Sequence, residues 1–455
     1  MSKPKKNYEM NMCEGPLVGK MLVFTIPLMF SGILQLLFNA ADTIVVGRYA
    51  GSQALAAVGS TTALINLLVN MFMGLSVGAN ILISRYYGAN RENDIKETVH
   101  TSIAVAAAAG IVLAVIGNIF AKPLLVLMGS PEDVVDLAAV YVKIYFMGMP
   151  VILIYNYGAA VLRAIGDTRR PLYYLTAAGF VNVGLNLVFV IKMNMSVAGV
   201  ALATVIAQCV SVALLLRCMS QMEGSCKLEW KKLRIHREKA WLLLRYGLPA
   251  GLQGSVFSFS NVLIQSSINS FGSVAMAGSS AAGNIEGFIY TAMNSFQQTA
   301  LCFTSQNLGG GKYERISKVF RNSILMVSFV GIVMGGGCYL FGEELLKVYS
   351  DNPEVIAYGL IRFKWIGIPY FICGIMDVLV GMLRGLGYAV VPMVVSMIGA
   401  CGFRILWIAT VFSKFHSLDV LFSSYIISWI LTSGTHLICF IVMWKKLRTR
   451  LENKI

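Results

Sequence analysis

The stretch IPLMFSGILQLLFNAADTIVVGR, residues 26–48, decides the class of fold. Its apolar length matches the ~20 helical residues that cross a hydrocarbon core about 30 Å thick. Lipid offers backbone amides no partner, so an apolar crossing of this kind must be a helix rather than an open strand. The same stretch carries Pro27, Gly32, Asn39 and Asp42. A charged side chain at membrane depth costs about 2.5–3.5 kcal/mol on insertion scales, so Asp42 needs a partner, a watery cavity or a task.

Similar runs recur along the whole chain of 455 residues, near 18–47, 54–86, 97–120, 134–164, 171–192, 197–219, 240–270, 276–307, 317–341, 355–386, 389–412 and 419–445. Twelve spanning helices are expected, several longer than the bilayer needs and therefore tilted or extended beyond it. Only 13% of residues are charged and 57% are hydrophobic, against about 25% charged in soluble domains, so a soluble surface cannot be built. The net charge of +15 would suggest nucleic acid in a soluble protein. Here the basic residues lie in loops between apolar runs, which makes the lipid bilayer the expected partner and excludes nucleic acid.

Of the 37 Lys and Arg, 28 fall on one side of such a topology, the densest group running from Arg217 to Arg245. The positive-inside rule then places both termini in the cytoplasm of a multi-pass protein of the cell membrane. Arg163 and Arg384 belong to this count although each could sit partly within a helix, and the acidic pairs Glu132-Asp133 and Glu343-Glu344 fall in outer loops. The nine cysteines are scattered singly and the four histidines form no metal-binding pattern, so neither a disulfide framework nor a zinc site is indicated.

The chain repeats itself at a spacing near 221 residues. Pro27, Gly32 and Asn39 recur as Pro249, Gly254 and Asn261, and Gly88-x-x-Arg91 recurs as Gly309-x-x-Lys312. Leu162-Arg163-x-x-Gly166 and Pro171 return as Leu383-Arg384-x-x-Gly387 and Pro392. Six helices separate equivalent points, so the halves share one orientation, as in repeats related by an axis along the membrane normal. The expected organisation is a cytoplasmic segment at 1–17, a six-helix lobe at 18–221 and a basic linker at 222–239. A second six-helix lobe follows at 240–445 and a tail at 446–455.

At four places the sequence resembles the multidrug and toxic compound extrusion (MATE) transporters: Asp42-Thr43-Ile44-Val45-Val46-Gly47-Arg48, Leu162-Arg163-Ala164-Ile165-Gly166-Asp167-Thr168-Arg169, Gln306-Asn307-Leu308-Gly309 and Leu383-Arg384-Gly385-Leu386-Gly387. The resemblance covers essentially the whole chain. It implies a monomeric antiporter that expels small amphipathic, usually cationic, compounds using an inward proton or sodium gradient, with no cofactor beyond the coupling ion.

Asn182 and Asn186 are four apart and so share a helix face. Counted from the nearest run end, Asp42, Asn186, Thr204 and Asn182 lie at ~9, ~9, ~10 and ~15 Å depth. One carboxylate with amide and hydroxyl oxygens suits Na+ as a hard-ligand set, and equally houses a proton on Asp42. The resemblance assigns these four residues to a cation-coupling site in the first half. Their second-half counterparts are roughly Leu263 or Ile264, Phe403, Trp407 and Tyr425, so the frame is duplicated and the carboxylate–amide set is not.

The second half has its own charges near the midplane, Glu286, Asp377 and Arg404. Either Arg404 forms a structural ion pair, or a carboxylate faces the cavity and binds substrate. Asn156, the first-half equivalent of Asp377, together with Tyr155 and Gln297, completes the candidate substrate-binding set. Tyr155, Phe288, Tyr290, Phe296, Tyr370 and the 23 methionines offer adaptable apolar faces to flat lipophilic cations. The MATE branch with a glutamate in the seventh helix finds no match, because Phe257, Ser258 and Ser260 stand there. A lipid-linked oligosaccharide flippase is the alternative within transport, and it would require more cavity cations than Arg404. An integral-membrane enzyme lacks any nucleophile–base or metal signature.

Overall fold

In a computed structural model of the protein, residues 8–127 and 132–452 are described; Lys3, Lys5, Lys6 and Lys454, which enter the charge count, lie outside them, as do the side chains of Glu132 and Asp133. Every regular element among the described residues is helical. In chain order these are α1 (Leu17–Val45), α2 (Ser52–Gly88), α3 (Glu92–Leu127), α4 (Glu132–Met147), α5 (Met149–Ala164), α6 (Arg169–Asn186) and α7 (Ser196–Gln221). After the linker come α8 (Arg237–Asn269), α9 (Ser273–Gly309), α10 (Tyr313–Leu340), α11 (Gly342–Lys347), α12 (Pro353–Arg362), α13 (Tyr370–Gly385), α14 (Val390–Ser396), α15 (Phe403–Trp407) and α16 (Leu418–Glu452).

Each of the twelve apolar runs is helical, although 134–164, 355–386 and 389–412 each extend over two of these helices, and fewer than twelve qualify as spans. Among the described residues eight helices are long and apolar enough to cross a membrane, α14 and α15 counting as one through the π-turns of 390–412, and two bent pairs, α4 with α5 and α12 to α13, bring the number to ten. α8 and α9 have 33 and 37 residues and fall short through polarity rather than length. Their polar side chains turn inward: Gln253, Ser260, Glu286 and Gln297 are all buried. Large apolar side chains such as Phe180, Phe329 and Ile438 are exposed instead, as a surface facing lipid requires.

The chain divides into two compact units, one of residues 30–251 with the segment through Asn11, the other of Met12–Met29 with residues 252–452. This differs from the lobes drawn at the basic linker, since residues 18–29 fall with the second unit and 222–251 with the first. Both crossings lie two residues beyond the repeat-related prolines Pro27 and Pro249, inside α1 and α8. A proline inside a helix removes one backbone hydrogen bond and bends the axis, which lets each half of the helix pack separately.

In the first unit the opening turns of α8 lie on α2 through glycines spaced four apart on each helix, Gly74 and Gly78 against Gly247 and Gly251. A Cβ on Gly74 would stand 2.1 Å from the Gly251 nitrogen, and one on Gly78 2.4 Å from the Leu243 oxygen. Small residues at this spacing let two backbones touch, and that contact supplies the packing which lipid cannot drive. Gly74→Val is expected to lower the melting temperature in detergent by ~5 °C or more, whereas Gly336→Val, at a site open to space, leaves it unchanged.

The linker is anchored rather than loose. Glu229 N donates to His100 Nε2 at 3.0 Å, His236 N to Thr101 Oγ1 at 3.1 Å, and Lys239 pairs with Asp94, all on the first turns of α3. The motif residues have comparable duties. Gly166, at φ +93°, leaves room for Met10, whose N–H donates to Ile165 O at 2.9 Å; a Cβ there would meet Met10 Cβ at 2.5 Å. Asp167 Oδ1 accepts from the N–H groups of Arg169 and Arg170, both at 3.1 Å, and so satisfies the first two amides of α6. In the second unit Gln306 Oε1 accepts from Met12 N at 3.1 Å, and Asn307 Nδ2 donates to Met12 O at 3.2 Å.

Candidate cation site and the buried charges of the second unit

Asp42 sits three residues before the end of α1, where the helix widens into a π-turn at Val46–Ala50; α6 likewise passes into a π-turn immediately after Asn186. Such widened turns change which side chains share a face, and they recur at functional sites. The four residues named from sequence come together. Asn186 Nδ2 donates to Asp42 Oδ1 and, at 3.3 Å, to Asn182 Oδ1. Asn182 Nδ2 donates to Thr204 Oγ1 at 3.2 Å, and Thr204 Oγ1 donates to Val200 O at 3.0 Å. Asn182 and Asn186 are buried, and the Asn186 Oδ1 atom is sealed without a hydrogen-bond partner. A buried acceptor left open beside a carboxylate suits a small cation or a proton, because either would satisfy it.

Against this set lies a cavity of about 60 Å³, lined by Gln35, Phe38, Asn39, Asp42, Leu175, Ala178, Gly179, Asn182, Thr204, Ala207 and Gln208. One water needs roughly 10–15 Å³, so the space holds a few waters or a partly hydrated ion and is far below the ~300 Å³ at which drug-sized pockets begin. Gly179 shapes one wall, since a Cβ there would overlap the Phe38 ring at 1.8 Å. Gln35, Asn39 and Gln208 were missed as members of this site. The signal was in their spacing: 35, 39 and 42 lie on one face of α1, and 204 and 208 on one face of α7. Tyr141 and Tyr145 of α4 stack at 6.2 Å within electrostatic reach of Asp42. Among the described residues no three His, Cys, Asp or Glu side chains gather as a metal site.

The remaining candidates are dispersed. Tyr155 is buried and donates its hydroxyl to Pro171 O at 3.0 Å, and Asn156 Nδ2 turns back on its own helix to Ile152 O at 2.8 Å. In the second unit Gln297 Oε1 accepts from Asn294 at 2.8 Å. Glu286 is not the partner of Arg404. Arg362, which sequence reasoning passed over, grips it with Nε at 3.1 and 3.0 Å and Nη2 at 2.8 Å, and its Nη1 donates to Ser279 Oγ at 2.9 Å. Asp377 is buried with Oδ2 unpartnered. Arg384 is also buried, which removes its charge from the loop count, and its Nη2 donates to Gln253 Oε1 at 2.8 Å.

Described elements that are all helical, outer faces of large apolar side chains and a small polar cavity beside the Asp42 carboxylate fit a multi-pass membrane transporter. The chain belongs to the MatE family, whose model matches residues 27–188 and again 249–410, one match in each sequence repeat. It is 29% identical over 411 residues to the probable multidrug resistance protein YoeA of Bacillus subtilis, covering 88% of each chain. It is 24% identical to the probable multidrug resistance protein NorM of Thermotoga maritima, over 90% of this chain and 88% of the other. An outward-facing MATE transporter of the MOP superfamily superposes with TM-score 0.90 at 18% identity, over 98% of this chain and all of the other. A MOP superfamily transporter from Pyrococcus furiosus superposes with TM-score 0.86 at 20% identity, over 98% of each chain.

Proposed function

We propose that the chain is a proton- or sodium-coupled antiporter that exports amphipathic, typically cationic, compounds across the cell membrane by alternating access. In this reading it is a monomer with twelve spans, both termini and the basic linker cytoplasmic. The observation that carries it is the Asp42–Asn186–Asn182–Thr204 cluster beside its small cavity, which has the size and the oxygen set for a coupling ion rather than for a drug. Separate places for ion and substrate imply coupling through a conformational equilibrium that each ligand biases, since linkage needs two sites with different affinities in the two states. Relatives named as multidrug resistance proteins support export of this kind, and a lipid-linked oligosaccharide flippase gains nothing from them.

Ethidium accumulation in everted vesicles, the equivalent of cellular efflux, under an imposed sodium or pH gradient tests the proposal and separates the two ions. Efflux driven by neither gradient would overturn it. Asn186→Ala removes both the donor to Asp42 and the open Oδ1, and is expected to reduce gradient-driven efflux about tenfold, the effect of losing roughly 1.4 kcal/mol of ion binding. Unchanged coupling in that variant would place the ion elsewhere.

A further inference from the structure

We propose that the second unit contains a binding site for an anionic group on an aromatic molecule, built on Arg404. This side chain is 3% exposed. Its Nε donates to Ser428 Oγ at 3.0 Å, and its guanidinium lies over the Tyr425 ring at 4.0 Å and 5.8 Å from the centre of Trp429. All three neighbours are uncharged. Among the described residues no carboxylate lies within ion-pair distance of Arg404: Glu286 is held by Arg362, Asp419 accepts from Trp365 Nε1 at 2.6 Å, and Asp377 feels chiefly Arg384. A full positive charge therefore stands inside the bundle without a counter-charge, a costly arrangement unless an anion completes it.

The geometry leaves the useful part of the guanidinium available. Tyr425 covers its face, which is the cation–π contact, whereas bidentate recognition of carboxylate or phosphate uses the in-plane edge. The two Nη nitrogens on that edge make no hydrogen bond, and neither is fully sealed. Tyr370 and Trp429, 5.3 Å apart and both buried, provide aromatic surface beside the charge for a flat ring system.

The sequence repeat adds an independent argument. At an offset of 221, the cavity-lining Thr204, Ala207 and Gln208 correspond to Tyr425, Ser428 and Trp429, the three residues around Arg404, while Arg404 itself stands where the first half has Val183. The helix face that lines a small polar cavity in the first half thus carries the aromatic and hydroxyl partners of a cation in the second. The site extends the proposed export to zwitterionic or anionic aromatic compounds; its physiological meaning rests on that reading, while binding itself needs no transport.

Equilibrium dialysis of the purified full chain in detergent tests it with 2-naphthoate and its neutral amide, 2-naphthamide. The expected result is about tenfold tighter binding of the naphthoate, a preference that falls to about twofold or less in Arg404→Gln and survives in Asp42→Asn. Equal affinities in the parent protein, or a preference retained in Arg404→Gln, would overturn the site. Should Arg404→Gln not fold, competition in the parent protein decides: benzenephosphonate is expected to displace naphthoate and benzylammonium is not, and equal displacement by both refutes the proposal. Failure of the exporter reading would appear separately, as absent ethidium efflux with this charge preference intact.

Discussion

Asp42→Asn is expected to insert and fold like the parent protein and to lose gradient-driven efflux, falling to the rate seen without a gradient. The substitution keeps the shape of the side chain and an oxygen for Asn186 Nδ2 to reach, so the hydrogen bonds to α6 are largely preserved. What disappears is the charge. A neutral amide neither carries a proton on and off nor attracts Na+ with the strength of a carboxylate, and Asp42 is the only carboxylate among the residues lining the cavity. Reconstitution into vesicles with substrate on one side, followed under each gradient, reads the result directly. Transport at the parental rate would show that the cluster serves packing alone, as interhelical hydrogen bonds between Asn and Thr often do.

The largest effect on stability is expected at Arg362. Arg362→Ala leaves the Glu286 carboxylate, whose side chain is 4% exposed, without a counter-charge, at a cost of about 3–5 kcal/mol. Glu286→Gln strands the guanidinium in the same way. Of the two second-half carboxylates named from sequence as candidates to bind substrate, Glu286 is the one whose charge is neutralised inside its own unit by three hydrogen bonds. A paired change, Arg362→Met with Glu286→Leu, removes both charges and is expected to recover most of the loss, because apolar replacement of a buried ion pair is often neutral. Melting curves of the three variants in detergent decide the matter. A double variant no more stable than Arg362→Ala would mean that the pair does more than neutralise its own charges.

These cases separate what a linear pattern reveals from what packing adds. The apolar runs were legible because lipid enforces them one helix at a time, each run meeting the bilayer on its own account. Asp42, Asn182, Asn186 and Thr204 were legible because three of them follow helical spacing or depth within consecutive runs and the fourth is a carboxylate where lipid forbids one. The repeat survives in sequence for a related reason, since prolines and glycines at equivalent turns are backbone requirements that few other residues meet.

Arg362 lies 76 residues from Glu286, and no period or motif links them. An isolated Arg near a helix end looks like any other loop cation, so Arg404, the cation at midplane, was the natural guess for a partner. Only the packing of α12 against α9 brings Arg362 to Glu286, leaving Arg404 to stack on Tyr425. The boundary between units is of the same kind. Sequence marks a basic linker between two halves, yet the boundaries of the compact units fall just beyond Pro27 and Pro249, because glycine-to-glycine contact of α8 with α2 depends on shapes meeting across about 170 residues. Local chemistry and the bilayer thus account for the helices, their repetition and the polar face around Asp42. Tertiary packing alone decides which buried charges neutralise each other and which one is left for a ligand, because Coulomb energy follows distance in space rather than along the chain.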